Sequence, residues 1–227
     1  MLPPSQLSPL LKWKVGMGVA IVEGVQMRVG ILGGTFDPVH LGHLIIAEEA
    51  RVRLELDQVI FIPTGYPWLK EQQPVASGED RLRMVELAIV SNSSFQVSSN
   101  EVDRGGPTYT VDTLQELEQE LGSDSELHFI LGMDALEQFD RWKEPDKLLE
   151  LCRLAIVNRP GHQAVDVNDL VGRYPQAGTR LTLLNVPRIE ISSTEIRQRV
   201  AEGRSIRYLV SDSVEGYISE YKLYRAN

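Results

Sequence analysis

The chain has 227 residues, 42% of them hydrophobic and 24% charged, and a net charge of −9. That length suits one α/β domain, or one domain with a small appendage, and the composition supports a real core. The acidic balance argues against a polynucleotide-binding surface, although a local cluster of His, Lys and Arg still admits a small anionic ligand. The single cysteine, Cys152, cannot form an internal disulfide, which fits a reducing, cytoplasmic compartment. Its place in the apolar run Leu151 to Val157 makes it a small buried hydrophobe.

In chain order, Lys12 and Lys14 precede a moderately apolar stretch, Val15 to Val25, which has the outline of a signal peptide. Glu23 interrupts the stretch, several glycines dilute it, and it is too short to span a bilayer. Met27 stands immediately before the first strong strand. Residues 1–26 are therefore expected to be a disordered extension or to precede the functional start, and residues 27–227 to form one domain. No membrane partner is expected.

From Met27 strand and helix signals alternate. Val29 to Leu32 is a short apolar strand ending in two glycines. Leu41 to Leu54 has helical spacing, with Leu44, Ala47 and Val52 among its apolar positions. Val59 to Ile62 is a buried-type strand stopped by Pro63. Ser77 is placed to cap a helix running through Met84, Leu87 and Ala88, with Glu79 and Asp80 suiting its first turn. Phe95 to Ser98 is a weaker strand. Thr110 to Leu121 is a helix with Val111, Leu114, Leu117 and Leu121 on one stripe. Strands follow at Leu127 to Leu131, Leu154 to Val157 and Leu181 to Leu184, and helices at Thr194 to Ala201 and Ser211 to Tyr221 close the chain. The alternation predicts an α/β, doubly wound open parallel sheet, Rossmann-like, with helices on both faces.

In such a sheet the first strand-to-helix turn is the usual phosphate site. Gly33 and Gly34 let backbone amides approach an anion. His40 and His43, three apart at the start of the next helix, can project toward one ligand, and Gly42 between them removes bulk where a nucleotide would need close contact. The turn lacks the Gly-Lys-Ser/Thr ending of a Walker loop and the spacing of a dinucleotide fingerprint. Zinc would need a third protein ligand, and His128 and His162 show no pairing pattern. No protein-held metal is expected.

Gly34-Thr35-Phe36-Asp37-Pro38 with His40-x-Gly42-His43 resembles the fingerprint of the HxGH nucleotidyltransferase superfamily. A second superfamily element is matched by Ile191-Ser192-Ser193-Thr194-Glu195-Ile196-Arg197. Ser and Thr at a helix start cap it and offer amide donors, and Arg197 can fork onto phosphate oxygens. Between these elements, Arg104 to Leu114, Phe129 to Leu136 with Phe139 and Trp142, and Arg159-Pro160-Gly161 resemble bacterial nicotinate-nucleotide adenylyltransferases, as does the tail Ser205 to Val210. The resemblance spans nearly all of residues 27–227.

The resemblance implies an ATP site at Gly33, Gly34, Thr35, Phe36, Gly42, Gly132, Asp134, Arg159, Ser192, Ser193 and Thr194. It implies a nicotinate-mononucleotide site at Thr108, Tyr109, Thr110 and Trp142, with Trp142 stacked on the pyridine ring. The family's Pro-Pro-His-Lys stretch is replaced by Tyr66-Pro67-Trp68-Leu69-Lys70: the lysine survives as Lys70, and Leu69 stands where the histidine would be. A smaller departure is Ser211, where a proline often opens the last helix; serine can cap instead.

The implied reaction joins ATP and nicotinate mononucleotide into nicotinate adenine dinucleotide, releasing pyrophosphate. A phosphate monoester is ionised at neutral pH and needs no general base. His40, His43, Lys70 and Arg197 would then align phosphates and stabilise departing charge, with Mg2+ arriving on ATP and no tightly bound organic cofactor. Homo-oligomerisation stays open. So do an amide-form or phosphopantetheine acceptor, a cytidylyltransferase, and a nucleotide-binding regulatory module without catalysis.

Overall fold

Short runs of β-branched and aliphatic residues, most of them closed by Gly, Pro or Asn, become the parallel strands. The computed structural model describes residues 13–14, 26–66, 75–122, 124–158, 167–187 and 189–225. Among these residues one sheet contains β1 (Trp13–Lys14), β2 (Arg28–Gly34), β3 (Gln58–Pro63), β4 (Phe95–Ser98), β5 (Glu126–Gly132), β6 (Cys152–Asn158) and β7 (Leu181–Asn185). Their spatial order is β1-β4-β3-β2-β5-β6-β7. From β2 to β7 every neighbour is parallel, as the alternating pattern predicts. At one edge β1 pairs antiparallel with β4, a strand within residues 1–26 that the sequence reading did not place.

The chain builds outward from β2 through β3 to β4, then returns to the other side of β2 with β5, β6 and β7. The reversal falls between β2 and β5, whose carboxyl ends therefore flank a crevice without a crossing connection.

The helices are α1 (Leu41–Arg53), α2 (Gly78–Ile89), α3 (Asn100–Arg104), α4 (Thr110–Leu121), α5 (Met133–Leu136), α6 (Pro145–Leu151), α7 (Val167–Arg173), α8 (Ser193–Ala201) and α9 (Asp212–Glu220). The sheet's period of two sorts the core into two layers. Leu32, Phe61, Ile130 and Val157 pack on α1, α2, α8 and α9. Their neighbours Ile31, Ile60, Phe129 and Ile156 pack with Leu114 and Leu117 of α4 and Leu148 and Leu149 of α6. Ser77 caps α2 as expected, its hydroxyl accepting from the Asp80 amide at 3.1 Å. Of the apolar positions expected in α1, Ala47 is buried and Leu44 packs against the core, and Val52 departs. Ile46, Ala47 and Ala50 are buried while Val52 is 59% exposed, because the sheet selects a face that composition alone leaves ambiguous. No helix among the described residues is long and apolar enough to cross a membrane. Cys152 is buried, and burial pushes its thiol pKa up to about 12, so it behaves as a hydrophobe.

His128 on β5 is 3% exposed, with Glu126 3.6 Å from its Nε2. Burial holds its pKa below the ordinary 6.5; Glu126 opposes that shift, and Arg28 and Arg153 add to it. A histidine whose folded pKa is depressed gains a proton on unfolding, so stability is full above the unfolded pKa and falls as pH drops toward the folded one. Lowering pH from about 7.5 to about 5.5 should therefore lower the thermal midpoint, and less so in His128→Leu. Equal drops in the two proteins would refute this role.

Candidate active site

At the end of β2, Gly33 and Gly34 lead into Thr35 and Phe36, and the chain enters α1 at His40. Phe36 has a φ of +50°, rare for a bulky residue. Its buried ring packs against Phe61 and sits edge-on to His43, with centroids 5.0 Å apart. His40 is the N-cap of α1. Its backbone N–H donates to Nδ1 of His43 at 3.2 Å, so His43 takes the reciprocal role that Glu or Gln plays in a capping box. An Nδ1 that accepts leaves the proton of the neutral ring on Nε2, which makes His43 a hydrogen-bond donor at its far edge.

The two imidazoles stack with centroids 3.7 Å apart. His43 lines the cavity described below, and His40, 5% exposed, lies behind it. Gly42 has a role the sequence reading did not assign: a Cβ there would stand 3.0 Å from Nδ1 of His40. Its missing side chain makes room for that ring.

The second motif docks on the first. The Ser192 hydroxyl caps α8 by accepting from the Glu195 amide, and Ser193 Oγ donates to the Pro38 carbonyl at 2.9 Å. Arg197 donates to the Asp37 carbonyl at 2.7 Å and lies near Thr194 Oγ1 at 3.4 Å. The tail Ser205 to Val210 also closes on this corner, the Leu41 amide donating to the Leu209 carbonyl at 2.9 Å.

Between the carboxyl ends of β2 and β5 lies a cavity of about 370 Å3, within the usual range for small-ligand sites. Gly33, Gly34, Thr35, His43 and Gly132 form its sheet side. Thr108, Tyr109, Thr110 and Trp142 form the other. Trp142 is half-buried, its ring set edge-on to Phe129 and tilted against Phe139, so it both packs on the core and presents a surface to the cavity. Tyr109 is the N-cap of α4, whose start has no side-chain cap. Asp134 is exposed in the first turn of α5, directly after Gly132. Lys70 and Arg159 lie outside the described residues. No group of three or more His, Cys, Asp or Glu side chains that could hold a metal ion is present among the described residues.

Residues 31–199 match the family model Cytidylyltransferase-like. A Dehalococcoides mccartyi protein named "Probable nicotinate-nucleotide adenylyltransferase" is 46% identical over 200 residues, covering 88% of this chain and 98% of its own. A Roseiflexus protein of the same name is 50% identical over 197 residues, covering 87% and 98%. The chain belongs to the nicotinate-nucleotide adenylyltransferase family. A solved Plasmodium falciparum nicotinic acid mononucleotide adenylyltransferase, complexed with APC, shares the fold at a TM-score of 0.70. It is 22% identical and the match covers 88% of this chain and 98% of that one.

In this adenylyltransferase the site is braced by long-range contacts that gave no local signal, those of Asp37 inside the first motif included. Arg81 of α2 is 1% exposed and donates to the carbonyls of Thr35 at 2.7 Å, Gly65 at 3.3 Å and Ala76 at 3.3 Å. Burial lowers its pKa, with Asp37 the largest opposing influence. Asp37, 4% exposed, accepts from the amides of Val75 and Ala76 and from the Tyr224 hydroxyl at 2.7 Å. Burial, then the neighbouring Asp37 charge, pushes the Tyr224 pKa far up. Lys143, at the cavity wall, pairs with Asp112 at 2.8 Å and sits 5.0 Å from the Tyr109 ring centroid. Tyr224→Phe should cost about 1.5–3 kcal/mol in urea unfolding, the range for a hydrogen bond to a charged group. A loss below about 0.5 kcal/mol would mean water replaces the hydroxyl at Asp37.

Proposed function

We propose that residues 27–227 transfer the adenylyl group of ATP to nicotinate mononucleotide, forming nicotinate adenine dinucleotide and pyrophosphate. The observation that carries this reading is the position of one cavity between a donor-rich turn and an aromatic wall. His43 and the Gly33–Thr35 backbone stand at one end, and Trp142 with the start of α4 at the other. ATP phosphates suit the first. A flat, electron-poor ring carrying a carboxylate suits the second, since an aromatic face and a helix N-terminus match those two features.

In the reaction an oxygen of the mononucleotide phosphate bonds to the α-phosphorus of ATP, and the bond from that phosphorus to the bridging oxygen breaks. The electron pair leaves with pyrophosphate. The attacking monoester has a second pKa of about 6, so near neutral pH it is largely ionised before it binds. The protein's task is alignment and stabilisation of departing charge. His43 supplies an Nε2–H donor, and His40 holds its plane by stacking. The amides at the start of α8, through Ser192, Ser193 and Thr194, supply further donors. Arg197, Lys70 and Arg159 are the cations assigned to the phosphates, Gly132 and Asp134 the contacts to the adenosine ribose. Magnesium enters as part of the substrate, on ATP phosphates and water, as is usual for this ion.

His43→Ala should lower kcat by about 100-fold or more while thermal unfolding stays near wild type, because one donor to a developing charge is worth that much. Near-wild-type turnover by that folded variant would sink the assignment. Trp142→Ala should raise the KM for the mononucleotide with little change in the KM for ATP; the reverse pattern contradicts the stacking role. Pyrophosphate release with nicotinate mononucleotide should exceed release with the nicotinamide form. Equal rates would assign the site to the ring and ribose phosphate alone.

A further inference from the structure

One buried carboxyl group faces the cavity without a part in the phosphate chemistry. Glu101 of α3 is 8% exposed and lines the cavity. Its Oε1 accepts from the Thr113 hydroxyl of α4 at 2.8 Å, and the Thr108 side chain and the Gly65 backbone lie beside it. Burial pushes its pKa up against those polar neighbours and the Arg104 charge, which pull it down. Such a group is costly to bury unless its partners are fixed.

Those partners join three parts of the site. Thr108 and Thr113 flank Tyr109 and Thr110 at the start of α4, and Arg104 reaches the Thr113 hydroxyl from outside at 3.2 Å. Gly65 lies just beyond β3, and a Cβ there would fall 2.0 Å from the Glu101 carbonyl oxygen. The loop can therefore cross Glu101 only as glycine. The Gly65 carbonyl in turn accepts from Arg81, which also holds Thr35 of the phosphate turn. Gly65 is thus held between the two, its backbone packed against Glu101 and its carbonyl accepting from Arg81.

We propose that Glu101 is a positioning residue that fixes the start of α4 for the mononucleotide and ties it, through Gly65 and Arg81, to the turn that takes ATP. This rests on the reading that places the mononucleotide at Trp142 and Tyr109. Preordering lowers the entropic cost of binding, so its loss appears in the affinity for one substrate.

The test compares steady-state kinetics of Glu101→Ala, Glu101→Gln, Thr113→Val and Trp142→Ala, with thermal unfolding of each. Glu101→Ala should raise the mononucleotide KM about tenfold with kcat and the ATP KM within about twofold, the signature of lost binding common to ground and transition states. Glu101→Gln keeps an acceptor for Thr113 and should recover to within about threefold of wild type. Thr113→Val keeps the volume, removes the hydroxyl and should show the same selective rise; it decides the matter alone if Glu101→Ala fails to fold. A parallel loss in both substrates and kcat overturns the proposal, as does an unmoved mononucleotide KM in Glu101→Ala and Thr113→Val. So does a glutamine variant no better than alanine. If Trp142→Ala shifts the mononucleotide KM and the others do not, only the positioning role of Glu101 falls. If none shifts it, the placement of the mononucleotide falls first.

Discussion

The carboxylate of Asp37 is the point on which the site's geometry depends. It sits in the turn between β2 and α1 with almost no access to water, and a buried charge is tolerated only when its oxygens are fully matched. The matching groups come from across the chain: amides at 75 and 76, the hydroxyl of Tyr224, and the guanidinium of Arg197 at 3.8 Å. A turn that must collect partners from α2's approach, from α8 and from the chain's last turn cannot drift relative to any of them. Arg81 is the complementary cation, and its three carbonyl acceptors spread the same rigidity to Thr35 and Gly65.

That rigidity explains how an acidic protein can present a site for anionic substrates. Its net charge of −9 sets a repulsive field at a distance, but at short range fixed N–H groups and a few cations dominate. Buried bracing keeps those donors aimed before a ligand arrives, which is the condition for electrostatic preorganisation. The same logic accounts for the histidines. The backbone N–H of His40 fixes the tautomer of His43, and the His40 ring stacked beneath it fixes its plane.

How legible the molecule is in sequence follows from the range of each interaction. The parallel strands and the α2 cap at Ser77 are set largely by neighbours within a few residues and are legible in the sequence, whereas the short edge strand β1 is not. Helix α6 was missed although Pro145 at its first turn and the Leu148-Leu149 pair carry a local signal, because the segment was read only for its aromatic residues. Val52 is as apolar as its buried neighbours in α1 yet faces solvent, since composition cannot say which face meets the sheet. Asp37 and Arg81 were beyond reach in a stronger sense: Arg81 meets Thr35 across 46 residues and Tyr224 meets Asp37 across 187. Gly42 was read as space for a nucleotide, and its neighbour proves to be a histidine ring.

The order of motifs along the chain acquires a physical reason from the topology. A parallel sheet that reverses between β2 and β5 places the ends of those strands beside each other, so residues near 33 and near 132 share one crevice despite their separation. Glu101 and Thr108, between β3 and α4, line that crevice, and α8 and α9 pack with α1 on one face of the sheet. Each of these segments is pinned by a polar contact to the turn between β2 and α1 or to a residue that braces it: Gly65 by Arg81, Ser193 by Pro38, Tyr224 by Asp37. A site assembled this way gains precision from closure of the whole fold, and damage to a distant segment reaches the turn through one or two hydrogen bonds.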